Sequence, residues 1–148
     1  MKIILISSRG GHFKELMRIA SVLDKKNNII KVTVLKQDTK NKADYYISDI
    51  SRNFINFLKN FIESLKILTK LKPDIIISTG SGTTLNFCIF GKILTNSKII
   101  YVDSVTRVTD LSLCGKIIYT LKISDKLLIQ WPNLQKKYPK TEYWGRLF

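Results

Sequence analysis

Histidine occurs once in the 148 residues, cysteine twice, and acidic side chains number 11 against 25 Lys and Arg. Each shortage excludes something. Cys88 and Cys114 have no metal-ligand spacing, the single His12 has no histidine partner, and no Asp-x-Asp pair stands in a loop. No metal and no other cofactor is therefore expected. Both cysteines lie in apolar runs, where they read as small core residues and not as a disulfide. No apolar run reaches the roughly 20 residues that a membrane-spanning helix needs. The opening Met1-Lys2-Ile3-Ile4-Leu5-Ile6 is too short for a secretory signal and leads into Gly10-Gly11. The chain is expected to be soluble or peripheral to a membrane.

What is present is a large apolar fraction, 45%, and a net charge of +14. The first supplies an ordinary core, so disorder is excluded despite the charge. The second implies an anionic partner: nucleic acid, an acidic membrane leaflet or a phosphorylated substrate. A generally basic proteome would leave the same excess. Single-stranded nucleic acid calls for aromatics interleaved with basic residues on an exposed face. Residues 131–148, with Trp131, Lys136, Tyr138, Tyr143, Trp144 and Arg146, meet that only loosely, so nucleic acid is set aside.

Along the chain, strand and helix patterns alternate. Residues 2–7, 29–35, 74–78, 98–102 and 127–130 are β-branched or continuous apolar runs, which suit strands buried on both faces; 45–47 reads as a short further strand. Residues 12–23, 51–71, 83–94 and 110–121 carry helical spacing, with Asp110 as N-cap of the last. In the longest, Phe54, Leu58, Phe61, Ile62, Leu65 and Leu68 share a face, flanked by a stripe of Lys59, Lys66 and Lys70; Pro73 ends it. That face reads as packing against the sheet, the lysines as a membrane contact. No repeat or linker is visible. The pattern predicts one α/β domain over 1–148, a Rossmann-like doubly wound parallel sheet, with 131–148 as an aromatic and basic tail.

In such sheets ligands bind beyond the carboxyl ends of the strands. Two glycine loops stand there: Ser7-Ser8-Arg9-Gly10-Gly11-His12 and Ser78-Thr79-Gly80-Ser81-Gly82-Thr83-Thr84. Glycine lets backbone approach a ligand, and the helix start that follows presents free N–H groups suited to phosphate. Neither loop carries a nucleotide fingerprint, and each is also readable as a tight connection. Hydroxyls of Ser81, Thr83 and Thr84 are candidate donors. His12, at a helix start where the dipole disfavours imidazolium, is either a neutral general base or a residue that only bonds the loop. In Asp103-Ser104-Val105-Thr106-Arg107, Asp103 either orients a hydroxyl or pairs with Arg107, and Arg107 suits a forked contact to an anion.

Four segments carry a resemblance. Ser8-Arg9-Gly10-Gly11-His12-Phe13-Lys14-Glu15-Leu16 comes first, then Pro73-Asp74-Ile75-Ile76-Ile77-Ser78-Thr79-Gly80-Ser81-Gly82-Thr83. Tyr101-Val102-Asp103-Ser104-Val105-Thr106-Arg107-Val108 is third, and Gln130-Trp131-Pro132 with Tyr143-Trp144-Gly145 is last. In this order they resemble the PssD-type capsular and exopolysaccharide biosynthesis proteins. These are similar to asparagine-linked glycosylation protein fourteen and to the N-terminal half of MurG-type GT-B glycosyltransferases. Two departures stand out: Asp103 takes the place of an expected glutamate, and the N-terminal membrane helix of eukaryotic relatives is missing, which points to a bacterial-type member.

The resemblance implies an acceptor-binding subunit of a two-component inverting glycosyltransferase, inactive alone. Its partner would be a nucleotide-sugar-binding, PssE-like subunit. Its acceptor would be a polyprenyl-diphosphate-linked saccharide at the cytoplasmic face of the cell membrane, whose anionic surface it would meet peripherally. Ser8, Gly10, Gly11, Gly80, Ser81, Gly82, Thr83, Asp103, Ser104 and Arg107 would face the acceptor, His12 would take the proton, and Trp131, Tyr143 and Trp144 would meet the partner. A non-catalytic membrane anchor that activates the partner is the alternative.

Overall fold

Isoleucine and valine dominate the strands, and their branched side chains fill both faces of a pleated surface. The computed structural model describes residues 1–23, 26–50 and 53–148. Its strands are β1 (Lys2–Ile6), β2 (Asn28–Val34), β3 (Tyr45–Ile47), β4 (Ile75–Ser78), β5 (Lys98–Val102), β6 (Lys126–Ile129) and β7 (Glu142–Tyr143). All pair in parallel, in the order β3-β2-β1-β4-β5-β6-β7. The chain starts in mid-sheet, runs out to β3, returns to the far side of β1 and proceeds outward again. The order therefore reverses between β1 and β4, the switch point of a doubly wound sheet.

Alternation along each strand divides the core. Ile4, Ile6, Val32, Ile76, Ile99 and Tyr101 point into a layer with Leu68 of α2 (Phe54–Leu71), Phe87 of α3 (Gly82–Leu94) and Ile118 of α4 (Leu113–Thr120). The short α5 (Leu134–Lys137) adds Leu134 to it. Ile3, Leu5, Ile77 and Val102 point the other way, where Phe13 and Leu16 of α1 (Gly11–Val22) cover them. The expected α/β sheet is present, with three corrections.

First, the tail is part of the sheet. It supplies α5 and β7, the latter held by Lys126 on the Glu142 carboxylate at 2.8 and 2.9 Å. A two-residue strand is too short to show a period. Second, Asp110 is not an N-cap. Helix α4 starts at Leu113, and the Ser112 hydroxyl accepts the Gly115 N–H at 2.9 Å. Asp110 instead meets Lys116 at 2.6 Å, Lys137 at 3.1 Å and the Tyr138 hydroxyl. Third, the apolar face of α2 is only half packed. Ile67, Leu68 and Leu71 are buried, whereas Phe54 is 78% and Ile55 61% exposed, and Leu58 and Ile62 are exposed as well. The expected helix start at Ser51 lies outside the described residues; the cap among them is Asn53, which accepts the Ile55 N–H at 3.0 Å.

The cap assignment has a direct test. Ser112→Ala is expected to cost about 1 kcal/mol, the usual loss for an N-cap hydroxyl, and Asp110→Asn less, since its partners are largely in water. Urea unfolding of the two variants reads the difference; an Asp110 effect larger than that of Ser112 contradicts it.

Candidate functional site

Ile6 and Ser78 are register partners at the carboxyl ends of β1 and β4, so both glycine loops leave the sheet side by side. The Thr79 N–H donates to the Ile6 carbonyl at 3.2 Å. Two glycines are needed for backbone reasons. Gly10 has φ 68, and Gly80 has φ 102 with no room: a Cβ there would lie 3.1 Å from Tyr101 Oη and 3.4 Å from the His12 ring. At Gly11 an added Cβ would meet nothing within 4 Å. Ser81, at φ 83, holds a conformation that costs a side-chain-bearing residue on the order of 1–3 kcal/mol.

His12 clasps the two loops. Its Nδ1 lies 2.7 Å from the Thr79 carbonyl, while the Thr79 hydroxyl donates to the His12 carbonyl at 2.8 Å. A carbonyl only accepts, so Nδ1 carries the hydrogen and Nε2 keeps its lone pair. Nε2 makes no hydrogen bond among the described residues. His12 lines a recess of about 260 Å³ together with Ser81, Gly82, Ser104, Arg107 and Cys114. The dipole was expected to hold the imidazole neutral. The Glu15 carboxylate, 3.7 Å from Nδ1, works against the dipole and raises His12 above its ordinary value. Burial opposes this, and the Thr79 carbonyl and Asp103 add to it.

Glu15 is the residue that pattern reading missed. It is 1% exposed, and Oε1 accepts from the Val105 N–H at 3.0 Å, Gln130 Nε2 at 3.2 Å and the Ser104 hydroxyl at 3.5 Å. Its Oε2 has no hydrogen-bond partner. The available signal was a lone acid on the apolar stripe of α1, between Phe13 and Leu16 and three residues past His12.

Asp103 is buried, and burial pushes its carboxyl up despite hydrogen bonds from the Ser112 N–H and hydroxyl at 2.9 and 2.6 Å. It thus orients a hydroxyl, and among the described residues it forms no ion pair with the exposed Arg107.

A second recess, of about 350 Å³, is lined by Ser8, Arg9, Asp49, Ile50, Ser81 and Thr83. Ser81 and Gly82 divide it from the first, at the start of α3, where the N–H groups of Gly82 and Thr83 form no backbone hydrogen bond among the described residues. The expected hydroxyl donors split. Thr83 donates to Asp49 at 3.1 Å and Thr84 meets Ser78 at 2.9 Å, so both are engaged. Ser81 Oγ is buried without a partner, like Tyr101 Oη and Glu15 Oε2. A helix start with free N–H groups, an arginine on each side and an unpartnered hydroxyl suits an anionic, hydroxyl-bearing ligand.

The remaining candidates lie apart from the recesses. Lys59, Lys66 and Lys70 are exposed on α2. Trp131 is turned inward: its Nε1 donates to the Val105 carbonyl at 2.6 Å and the Arg146 guanidinium stacks 3.8 Å over its ring. Tyr143 and Trp144 are exposed. Among the described residues no group of His, Cys, Asp and Glu could hold a metal ion, and no helix is long and apolar enough to cross a membrane.

Known proteins resemble this arrangement. The solved UDP-N-acetylglucosamine 2-epimerase of Rickettsia bellii superposes with a TM-score of 0.77 at 17% identity, over 99% of this chain and 45% of that one. MurG of Acinetobacter baumannii gives 0.69 at 13% identity, over 90% and 43%. The chain therefore spans less than half the length of these structures and shares the fold of one half. Among curated proteins, the UDP-N-acetylglucosamine transferase subunit ALG14 of Candida albicans is 31% identical, over 97% of this chain and 76% of that protein. Its counterpart in Yarrowia lipolytica is 30% identical over 99% and 81%, and that of Rattus norvegicus 28% over 98% and 82%. The family profile described as "Oligosaccharide biosynthesis protein Alg14 like" matches residues 46–147. On that match and those identities, the chain belongs to the Alg14-like family of oligosaccharide biosynthesis proteins.

Proposed function

We propose that this chain is the acceptor-binding subunit of a two-component inverting glycosyltransferase, which moves a sugar from a UDP-sugar to a polyprenyl-diphosphate-linked saccharide. The relatives' names, transferase subunits all, support the division of labour, and PssD-type capsular or exopolysaccharide synthesis is the setting we favour. The observation that carries the chemistry is His12: Nδ1 is fixed on the Thr79 carbonyl, and the unengaged Nε2 belongs to a side chain lining the recess of Ser81, Gly82 and Arg107. The acceptor's phosphates would take the α3 N–H groups with Arg9 or Arg107. One acceptor hydroxyl would attack the anomeric carbon while Nε2 takes its proton and the bond to UDP breaks. Glu15 would stabilise the imidazolium so formed.

The acceptor's lipid implies a membrane surface. Phe54, Ile55, Leu58 and Ile62 stand exposed at the amino-terminal half of α2, beside Lys59 and Lys66. Apolar side chains that enter the headgroup region with lysines around them describe a peripheral contact, at the cytoplasmic face. The exposed Tyr143 and Trp144 are the partner contacts we favour over the inward-turned Trp131.

The chemistry is tested by transfer from labelled UDP-sugars to membranes carrying the acceptor, with and without the proposed nucleotide-sugar-binding subunit. Transfer is expected only with both, and His12→Ala should lower kcat by about 10²- to 10⁴-fold with assembly intact. Unchanged turnover would leave only an anchor. The base must be neutral to act, and its pKa is raised, so the rate should climb with pH through a value above 6.5. The fold follows the opposite course: stabilisation by the imidazolium–Glu15 pair is complete below 6.5 and is lost as pH rises through the raised value. The membrane contact is tested by cosedimentation with vesicles containing anionic lipid. Exchange of Phe54 and Leu58 for Ser should weaken binding at least about tenfold, and exchange of Lys59, Lys66 and Lys70 for Gln should flatten its salt dependence. Binding that ignores both sets would rule this surface out.

A further inference from the structure

The buried carboxylate behind His12 has no role in packing that an apolar side chain of the same size would not fill more cheaply. Its surroundings are those of an aimed group. Oε1 takes three donors from two segments: the Val105 N–H and the Ser104 hydroxyl after β5, and Gln130 Nε2 after β6. Gln130 is itself fixed at both ends. Its Oε1 accepts the Leu147 N–H at 2.9 Å, which turns Nε2 towards Glu15 and the Asp103 carbonyl, 3.2 and 3.0 Å away. With Oε1 saturated, the carboxylate cannot rotate freely, and Oε2 is left over, buried, without a hydrogen-bond partner and 3.7 Å from His12 Nδ1.

We propose that Glu15 is a positioning residue for His12: its Oε1 is locked by Val105, Ser104 and Gln130 so that Oε2 holds a negative charge behind the imidazole. This fixes the Nδ1-protonated tautomer with the Thr79 carbonyl and keeps the Nε2 lone pair for the ligand. The inference rests on the proposed role of His12 as proton acceptor, and the arrangement it describes is measurable without that reaction. The other charged or titratable groups near the ring are Asp103, buried beyond the β5 end, Arg107 and Cys114, which line the same recess, and Tyr101, whose Oη is as close as the ring to the position a Gly80 Cβ would take. Of these Asp103 adds to the retention of a proton and Glu15 is the largest cause.

Glu15→Gln separates aiming from scaffolding. The glutamine carbonyl can accept the same three donors, while the NH₂ that replaces Oε2 places no negative charge behind the imidazole. His12 is the only histidine, so a single imidazole signal is followed by NMR in the isolated, unlabelled-partner-free chain. The unaltered chain is expected to titrate above 6.5 and, once neutral, to show the hydrogen on Nδ1. In Glu15→Gln the titration should move down while the unfolding midpoint in urea, measured at a pH where His12 is neutral, changes little. An unmoved titration in a folded variant overturns the proposal, and so does a hydrogen found on Nε2 in the neutral unaltered chain, a measurement that needs no variant to fold. Loss of transfer in His12→Ala is a separate readout: its absence would end the proton-acceptor reading and leave the pairing of Glu15 with His12 standing.

Discussion

Everything at this site depends on β1 lying parallel to β4 in mid-sheet. The pairing sets Ile6 beside Ser78, so two loops leave neighbouring strand ends and must diverge, one to a helix on each face. Divergence opens a crevice, and the His12–Thr79 clasp spans it with two hydrogen bonds of 2.7 and 2.8 Å. The clasp uses backbone carbonyls of both loops, so neither can shift without the other. Gly80 sits against the clasp: its φ of 102 strains any side chain, and an added Cβ would crowd the tyrosine hydroxyl at 3.1 Å and touch the histidine ring at 3.4 Å.

The same constraint orders the electrostatics. A chain of net charge +14 places three acidic groups, Glu15, Asp103 and Asp49, around its two recesses, each bonded to backbone or hydroxyl donors rather than left to the solvent. The lysines are spread along the chain, and none lines either recess. On the proposed function, attraction of an anion is long-ranged and diffuse, while its seat is built from neutral N–H groups and two arginines. Long-range steering and local recognition are assigned to different residues.

The fold was largely legible because strand and helix periods differ and most strands are short apolar runs rich in isoleucine, valine and leucine. Both glycine loops and His12 were legible as candidates, since they stand where strand ends meet helix starts; the clasp was not, because Thr79 lies 67 residues from His12. What escaped has physical reasons. Ser112 and Asp110 are both capping residues by type, and only the tertiary ion pairs of Asp110 with Lys116 and Lys137 decide between them. Periodicity gives α2 one continuous apolar face, but burial is set by tertiary neighbours: Ile67, Leu68 and Leu71 are covered, while Phe54 and Leu58 at the other end stay exposed. Glu15 was hidden because its partners Val105 and Gln130 lie 90 and 115 residues away.

Three polar atoms around the clasp, Glu15 Oε2, Ser81 Oγ and Tyr101 Oη, are buried without a protein partner. Of these, Ser81 Oγ belongs to a residue that lines both recesses, and on the proposed function an atom of this kind bears on discrimination. A pocket that recognises a ligand by shape rejects a missing methylene by a factor of about 10 to 200, whereas one that relies on buried polar groups rejects a missing hydroxyl by about 10⁴ or more. A site of this second kind reads the pattern of hydroxyls on what it holds far more strictly than its bulk. Among saccharides of equal size, which differ chiefly in where their oxygens point, that strictness becomes a choice of stereochemistry.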